Sequence, residues 1–305
     1  MKVIHNLEFQ WNQTAVCIGK FDGIHRGHRL LLQEAAKANL TTVMFTFSAG
    51  ENSVLYVPHE KRKLAESLGI DYLVEIPLDQ SFCILTPEEF ARGILRDKCG
   101  AAKVVVGSDF RFGRERSGDA AGLKKLGREY GFDVVIFDKL MLDGGIVSST
   151  RIRNLIGEGR MTEANHLLGT PYFVSGVVKR GNQLGRKIQT PTANLCLDPH
   201  KVLPPYGVYA ALVETGGEIY AGVSNLGVKP TIPGENQVGL EVWLFDYEGD
   251  LYDQELTAYL VDYLRPERKF DSLTDLQIQI QRDTVRAREI LAQPDIESLR
   301  QSFLR

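Results

Sequence analysis

Thr14-Ala15-Val16-Cys17-Ile18-Gly19 runs directly into Lys20-Phe21-Asp22-Gly23-Ile24-His25-Arg26-Gly27-His28. The first six residues form a short apolar run, the pattern of a strand buried on both faces. Glycines then punctuate a turn, and Leu30, Leu31, Leu32, Ala35 and Ala36 supply the apolar face of a following helix. A strand that passes through a glycine turn into a helix offers a phosphate close backbone approach, free N–H groups and a positive dipole end. His25 and His28, three residues apart, are expected on one face of the first helical turn. There they can donate hydrogen bonds to polyphosphate oxygens, where charge builds as pyrophosphate leaves. The spacing alone would equally suit a metal pair or two incidental surface histidines; the strand, turn and helix around it favour the phosphate reading.

Working outward, short segments rich in Val, Ile or Phe at 41–47, 71–76, 103–107 and 133–137 read as further strands. Helical patterns separate them near 60–68, 87–98 and 119–130. The second of these opens on Thr86-Pro87-Glu88-Glu89, an N-cap, a proline at the first helical position and a capping-box glutamate. Alternating strands and helices predict a doubly wound parallel sheet of Rossmann-like type. Ligands of such sheets sit beyond the carboxyl ends of the strands, where strand order reverses.

Beyond about residue 170, after helices at Ser149–Gly157 and Met161–Leu168, the pattern changes. Segments 172–179, 207–214, 218–224, 239–246 and 251–260 read as strands with little helix between them. Turns at Glu214-Thr215-Gly216-Gly217 and Glu248-Gly249-Asp250 predict a small antiparallel barrel or sandwich. A closing helix is expected over 272–292, with Leu273, Leu276, Ile280, Val285 and Ile290 as its apolar face. The expected domains are 1–170 and 171–305.

Composition bounds the function classes. The chain has 305 residues, 43% of them apolar, enough for two packed cores. A net charge of −3 gives no basic footprint for sequence-independent nucleic-acid binding. Cys17, Cys83, Cys99 and Cys196 form no Cys-x-x-Cys pair, so neither a zinc site nor a disulfide framework is expected. With no run of about 18 apolar residues and no secretory leader pattern in Met1–Trp11, a reducing cytoplasm is the expected compartment, without a membrane.

The segment Gly19–His28 resembles the His-x-Gly-His signature of the nucleotidyltransferase superfamily. Its longer form is similar to the FMN adenylyltransferase module of prokaryotic-type bifunctional riboflavin kinase/FAD synthetases. Val106-Gly107-Ser108-Asp109-Phe110-Arg111-Phe112-Gly113 and Val147-Ser148-Ser149-Thr150-Arg151-Ile152-Arg153 match two further blocks of that module. The resemblance implies that Gly19, Phe21, Asp22, Gly23, His25 and His28 meet ATP, with the histidines steadying the transition state. It implies that Ser148, Ser149, Thr150, Arg151 and Arg153 hold the pyrophosphate side, Arg151 as a catalytic cation, and that Asp109 and Arg111 position FMN or the nucleotide. Forked arginine donors at a helix start suit triphosphate on physical grounds as well. The turn after Phe45-Thr46-Phe47 reads Ser48-Ala49-Gly50-Glu51-Asn52 where the family carries prolines.

The second half resembles the riboflavin kinase module, a small antiparallel barrel with a terminal helix. The resemblance rests on Gly176–Gly181, Gly185-Arg186-Lys187, Pro191-Thr192-Ala193-Asn194, Leu203–Tyr209, Gly222–Thr231, Leu240-Glu241-Val242, Arg265–Phe270 and the final helix with Gln279 and Asp283. It implies that Gly185, Arg186 and Asn225 bind ATP or flavin, that Thr192 and Asn194 are Mg²⁺ ligands, and that Glu241 takes the proton from riboflavin's 5′-hydroxyl. Hydroxyl and amide oxygens suit a hard cation that keeps phosphates and waters in its shell, and a strand carboxylate suits general-base work. Ile188-Gln189-Thr190 stands where the family has leucine, glycine and an aromatic ring. The expected chemistry is riboflavin to FMN, then FMN to FAD with release of pyrophosphate, using Mg²⁺ with ATP, riboflavin, FMN and FAD as small-molecule partners. Two other readings stay open: a monofunctional FAD synthetase with a silent kinase-like domain, and a non-catalytic flavin sensor. The sequence also leaves open whether the chain forms a homo-oligomer.

Overall fold

Every residue of the Thr14–Ile18 run is buried, because this strand (β2) is central to a six-stranded sheet. In the computed structural model, which describes residues 1–48, 53–78, 80–179, 192–232 and 235–303, the sheet comprises β1 (Lys2–Ile4), β2, β3 (Thr41–Ser48), β4 (Tyr72–Pro77), β5 (Ala101–Gly107) and β6 (Asp133–Phe137). Its order is β1-β4-β3-β2-β5-β6, and each of its pairings is parallel. Order therefore reverses between β2 and β5, so the loops after Ile18 and after Gly107 flank the switch point. The β1 edge strand, only three residues long, was not anticipated.

One core holds the sheet together. Val16, Ile18, Val43, Phe45, Val74, Ile76, Val104 and Val106 pack with Phe90, Leu95 and Leu123 from the covering helices. Burying each such side chain contributes about 1.5–3 kcal/mol. The expected helix at 87–98 begins with its capping box: Glu89 N donates to Thr86 Oγ1 (3.2 Å) and Thr86 N to the Glu89 carboxylate (2.8 Å). From Phe90 to Lys98 it widens into a π-helix, which closes with Cys99 N donating to Ile94 O at 2.8 Å. The wider turn brings Phe90, Ala91, Ile94, Leu95 and Cys99 onto one buried side.

Contacts divide the chain into two compact units, Met1–Arg151 and Ile152–Arg305. The second is a barrel of β7 (Tyr172–Val177), β8 (Ala193–Cys196), β9 (Gly207–Thr215), β10 (Glu218–Ile232), β11 (Glu235–Leu244) and β12 (Glu255–Pro266). The antiparallel order is β7-β12-β9-β10-β11-β8. Lys179 N donates to Asn194 O at 2.9 Å, so the two ends of the order meet and the barrel is nearly closed. Gly216 (φ 60°) and Gly217 (φ 82°) make the left-handed two-residue turn from β9 to β10. The helix Met161–Leu168 packs on β7 and β12. Its Asn165 donates to Leu260 O (2.9 Å) and accepts from Tyr172 N (2.7 Å).

The closing helix, Leu273–Leu291, is capped by Ser272 Oγ, which accepts from Asp275 N at 3.1 Å. Its inner face differs from the expected one. Leu273 and Val285 are exposed, and Asp283, Ala287, Ile290 and Leu291 are the buried positions. A polar residue occupies a core-facing place because Arg265 of β12 meets it there. A last helix, Pro294–Phe303, was not anticipated.

Candidate active sites

The turn after β2 is conformationally strained. Phe21 (φ 49°), Gly23 (φ 87°) and Ile24 (φ 38°) all have left-handed backbones, a rare state for a β-branched residue. Hydrogen bonds hold it. Leu55 N donates to Asp22 Oδ1 (2.9 Å), Ser149 Oγ to Asp22 O (2.8 Å), Thr46 Oγ1 to Lys20 O (3.0 Å) and Arg29 Nε to Ile24 O (3.2 Å). Gly19 is needed for closeness: a Cβ there would sit 3.3 Å from the buried Phe21 ring. The Ser149 bond ties the Ser148–Arg151 block to this turn.

His25 does not lie on the first helical turn, as expected, but caps it. Its Nδ1 accepts from His28 N at 3.3 Å at the start of helix Arg26–Ala36. Because Nδ1 accepts, the proton of the neutral ring is on Nε2, which is left as a donor. The two imidazoles stack with centroids 3.7 Å apart, and Phe21 meets His28 edge-on at 5.2 Å. Burial lowers the His25 pKa to about 4. His28 also lies well below its ordinary value, from burial and then from the positive charges of His25 and Lys61. The pair is therefore neutral at pH 7. His28 Nδ1 is buried with no hydrogen-bond partner, an atom that an incoming ligand can satisfy. Among the described residues no group of three or more His, Cys, Asp or Glu side chains is placed to hold a metal ion.

Ser148 Oγ accepts from Arg151 N (3.3 Å), capping helix Ser149–Gly157, and Arg151 Nη1 donates to Leu142 O (2.9 Å). That guanidinium lies so close over Gly145 that a Cβ there would be 2.9 Å away. Thr150 is exposed and Arg153 half-buried on the same helix. Beyond β5, on the other side of the switch point, Asp109 pairs with Lys139 at 3.0 Å and Arg111 donates to Phe110 O. A chain of rings, Phe47, Phe82, Phe90, Phe112 and Phe110, links consecutive centroids at 5.1–5.8 Å. Lys61 was missed by the motif search. It comes from helix Pro58–Ser67, pairs with the buried Glu75 at 3.8 Å, and carries no signature of its own.

In the barrel, register rather than sequence proximity assembles the site. Asn194 of β8 lies opposite Glu241 of β11, which lies opposite Asn225 of β10. Directly opposed residues point to one face, and all three are half-buried while Ala193, Leu195, Leu226, Leu240 and Val242 face inward. Thr192, two residues before Asn194 and just ahead of β8, is half-buried. Asn225 Nδ2 donates to Glu267 Oε1 at 3.0 Å, whereas its Oδ1 is buried without a partner. Gly185, Arg186, Gln189, Thr190 and Pro191, like Ala49–Asn52 in the first unit, lie outside the described residues.

A family model described as FAD synthetase matches residues 8–151, and one described as riboflavin kinase matches residues 168–291. The bifunctional riboflavin kinase/FMN adenylyltransferase of Escherichia coli strain K12 is 38% identical over 301 residues, covering 94% of this chain and 96% of that protein. The Pseudomonas fluorescens protein of the same description is 35% identical, covering 95% and 96%. A solved Streptococcus pneumoniae structure, described as a macrolide-efflux protein, matches with a TM-score of 0.82 at 31% identity, covering 94% of this chain and 98% of that one. Both modules run in the same order along nearly the full length of these relatives, and the chain belongs to the bifunctional riboflavin kinase/FMN adenylyltransferase family.

Proposed function

We propose that this enzyme makes FAD from riboflavin in two ATP-dependent steps, FMN adenylylation in residues 1–170 and riboflavin phosphorylation in 171–305. The observation that carries the adenylylation is the His25 cap, which fixes the imidazole with Nε2 as donor beside the partnerless Nδ1 of His28. A phosphate oxygen of FMN attacks the α-phosphorus of ATP, the bond to the β-phosphate breaks, and pyrophosphate leaves. Donors already oriented towards the developing charge need no reorganisation as it forms. Neutral imidazoles bind a triphosphate by hydrogen bonding and gain proton affinity as its charge arrives. Ser148, Ser149, Thr150, Arg151 and Arg153 supply the pyrophosphate side, and Asp109 and Arg111 orient the flavin or nucleotide. The half-buried rings of Phe47, Phe82 and Phe110 give a flat heteroaromatic ring an apolar surface.

In the kinase step, which supplies that FMN, the 5′-hydroxyl of riboflavin attacks the γ-phosphorus of ATP, its proton passes to Glu241, and ADP departs. Thr192 and Asn194, two residues apart, supply a hydroxyl and an amide oxygen, a donor set that fits Mg²⁺. Bound there with ATP, the ion neutralises phosphate charge. We place this chemistry in a reducing cytoplasm and on small molecules rather than nucleic acid or a membrane. A net charge of −3 and four cysteines without a Cys-x-x-Cys pair support this reading; among the described residues no helix is long and apolar enough to cross a membrane.

The test is chromatography of products from the purified chain with Mg²⁺ and ATP, using riboflavin and FMN as separate substrates. Riboflavin should yield FMN and then FAD, and FMN should yield FAD. Conversion of FMN alone would show that the barrel does not act as a kinase, and turnover of neither would reject both assignments.

A further inference from the structure

The end of β12 and the residues just after it are bound to the closing helix Leu273–Leu291 by a network that the proposed chemistry does not use. Arg265 makes a forked pair with Asp283, Nε at 2.9 Å and Nη2 at 2.7 Å from Oδ2. Gln279 Nε2 donates to the other Asp283 oxygen (2.7 Å), and Gln279 Oε1 accepts from Arg268 Nη2 (2.7 Å). The Arg268 guanidinium lies 4.6 Å over the Phe270 ring. Between these two anchored arginines stands Glu267. Its carboxylate reaches Asn225 and occupies the space above Gly227, where a Cβ would sit 2.1–2.5 Å from carboxylate atoms. Gly227 is thus the opening through which Glu267 reaches the strand.

A carboxylate only accepts, so the Asn225 NH2 group must face Glu267 and its oxygen must face away. That oxygen is the buried, partnerless one. Leaving an acceptor unmade inside a protein costs about 1–3 kcal/mol, and a network that enforces such a vacancy points to a donor brought by a ligand. We infer that Glu267 is a positioning residue of the kinase site. It locks Asn225 with its amide oxygen presented beside Glu241, where that oxygen accepts a hydrogen bond from a hydroxyl of riboflavin's ribityl chain. The inference rests on the kinase reading of the Asn194–Glu241–Asn225 row. In that row the group next to the 5′-hydroxyl's acceptor would take a neighbouring hydroxyl.

The experiment compares full-length wild type, Glu267→Ala, Glu267→Gln, Asn225→Ala and the Glu267→Ala/Asn225→Ala double variant. Riboflavin phosphorylation is read as kcat and KM, and riboflavin and lumichrome affinity as flavin fluorescence quenching with MgADP. Lumichrome lacks the ribityl chain. Glu267→Ala should raise the riboflavin KM and weaken riboflavin binding about tenfold, the worth of one hydrogen bond. Lumichrome binding and FMN adenylylation should be unchanged. Glu267→Gln keeps an acceptor for the Asn225 NH2 group and should stay within about threefold of wild type. The double variant should be no worse than Asn225→Ala, since Glu267 acts through that residue. Multiplying losses, equal loss with lumichrome, or recovery of Glu267→Ala at high Mg²⁺ would each overturn the inference, the last by making the oxygen a cation ligand. If wild type binds riboflavin without turning it over, the kinase reading fails while the binding comparison still judges the role of Glu267.

Discussion

Replacing His25 separates its two duties. As N-cap, its Nδ1 satisfies the His28 amide; its Nε2 is left as the donor proposed to meet the nucleotide. Asparagine is among the best N-caps and can accept from the same amide, but its side chain is too short to restore a donor at the Nε2 position. Alanine removes both. Loss of an N-cap costs typically about 1 kcal/mol, and for a unit of 151 residues 1 kcal/mol corresponds to about 2–4 °C in Tm. His25→Asn should therefore melt within a few degrees of wild type, the remaining cost being lost stacking on His28 at 3.7 Å. His25→Ala should melt about 2–4 °C lower still.

The catalytic loss should be the same for both variants. Removing one preorganised donor to developing charge costs about 2.7–4 kcal/mol, or about 10²–10³-fold in kcat. The assay is FAD formation from FMN, MgATP held saturating, with riboflavin phosphorylation by the same preparation as the internal control. If His25→Asn keeps more than about a tenth of wild-type FAD synthesis, the Nε2 donor is not stabilising the transition state. If riboflavin phosphorylation falls in parallel, the effect is on folding and the reasoning is wrong.

Other perturbations test other parts of the structure. Burial holds His25 near pKa 4, below the ordinary 6.5 expected of the unfolded chain. As pH falls from 6.5 towards 4 the unfolded chain takes up a proton that the folded one does not, so stability is lost across that window, by roughly 3 kcal/mol at most. Wild-type Tm should accordingly drop more than that of His25→Asn between pH 7 and pH 5, and parallel curves would contradict a neutral His25. Asp283→Ala leaves Arg265, only 19% exposed, without its carboxylate. That should cost about 2–3 kcal/mol, less than a fully buried pair because Arg265 also donates to Pro266 O. Calorimetry should show a lowered barrel transition, with kinase activity falling more than FAD synthesis. Glu241→Gln should abolish FMN formation from riboflavin and leave FAD formation from FMN intact; unchanged FMN formation would mean that Glu241 is not the proton acceptor.

What the sequence discloses follows the range of the interaction that decides each feature. The β2 run and its glycine turn are local, since burial on both faces demands an unbroken apolar stretch; the capping box at Thr86 and the Gly216-Gly217 turn are likewise written within a few residues. Features set by a distant partner are not. The β1 strand is three residues of edge pairing with β4, about 70 positions away, and no local pattern marks it. Helix Leu273–Leu291 looks apolar at Leu273 and Val285, yet its inner face turns to admit Asp283 because Arg265 waits across the gap. The same limit governs the two sites differently. In the first unit the histidines of the proposed chemistry lie on one contiguous turn, so the motif could be read directly, while the capping role of His25 and the approach of Lys61 needed coordinates. In the barrel, Asn194, Glu241 and Asn225 come from three strands. Each alone is an ordinary strand residue, and a shift of register by one would send a side chain to the opposite face. Their chemistry is a property of the register, which the hairpin turns and inward-facing apolar residues enforce. Barrel mutations far from the row that disturb register should therefore silence the kinase while leaving β2 and its histidines untouched.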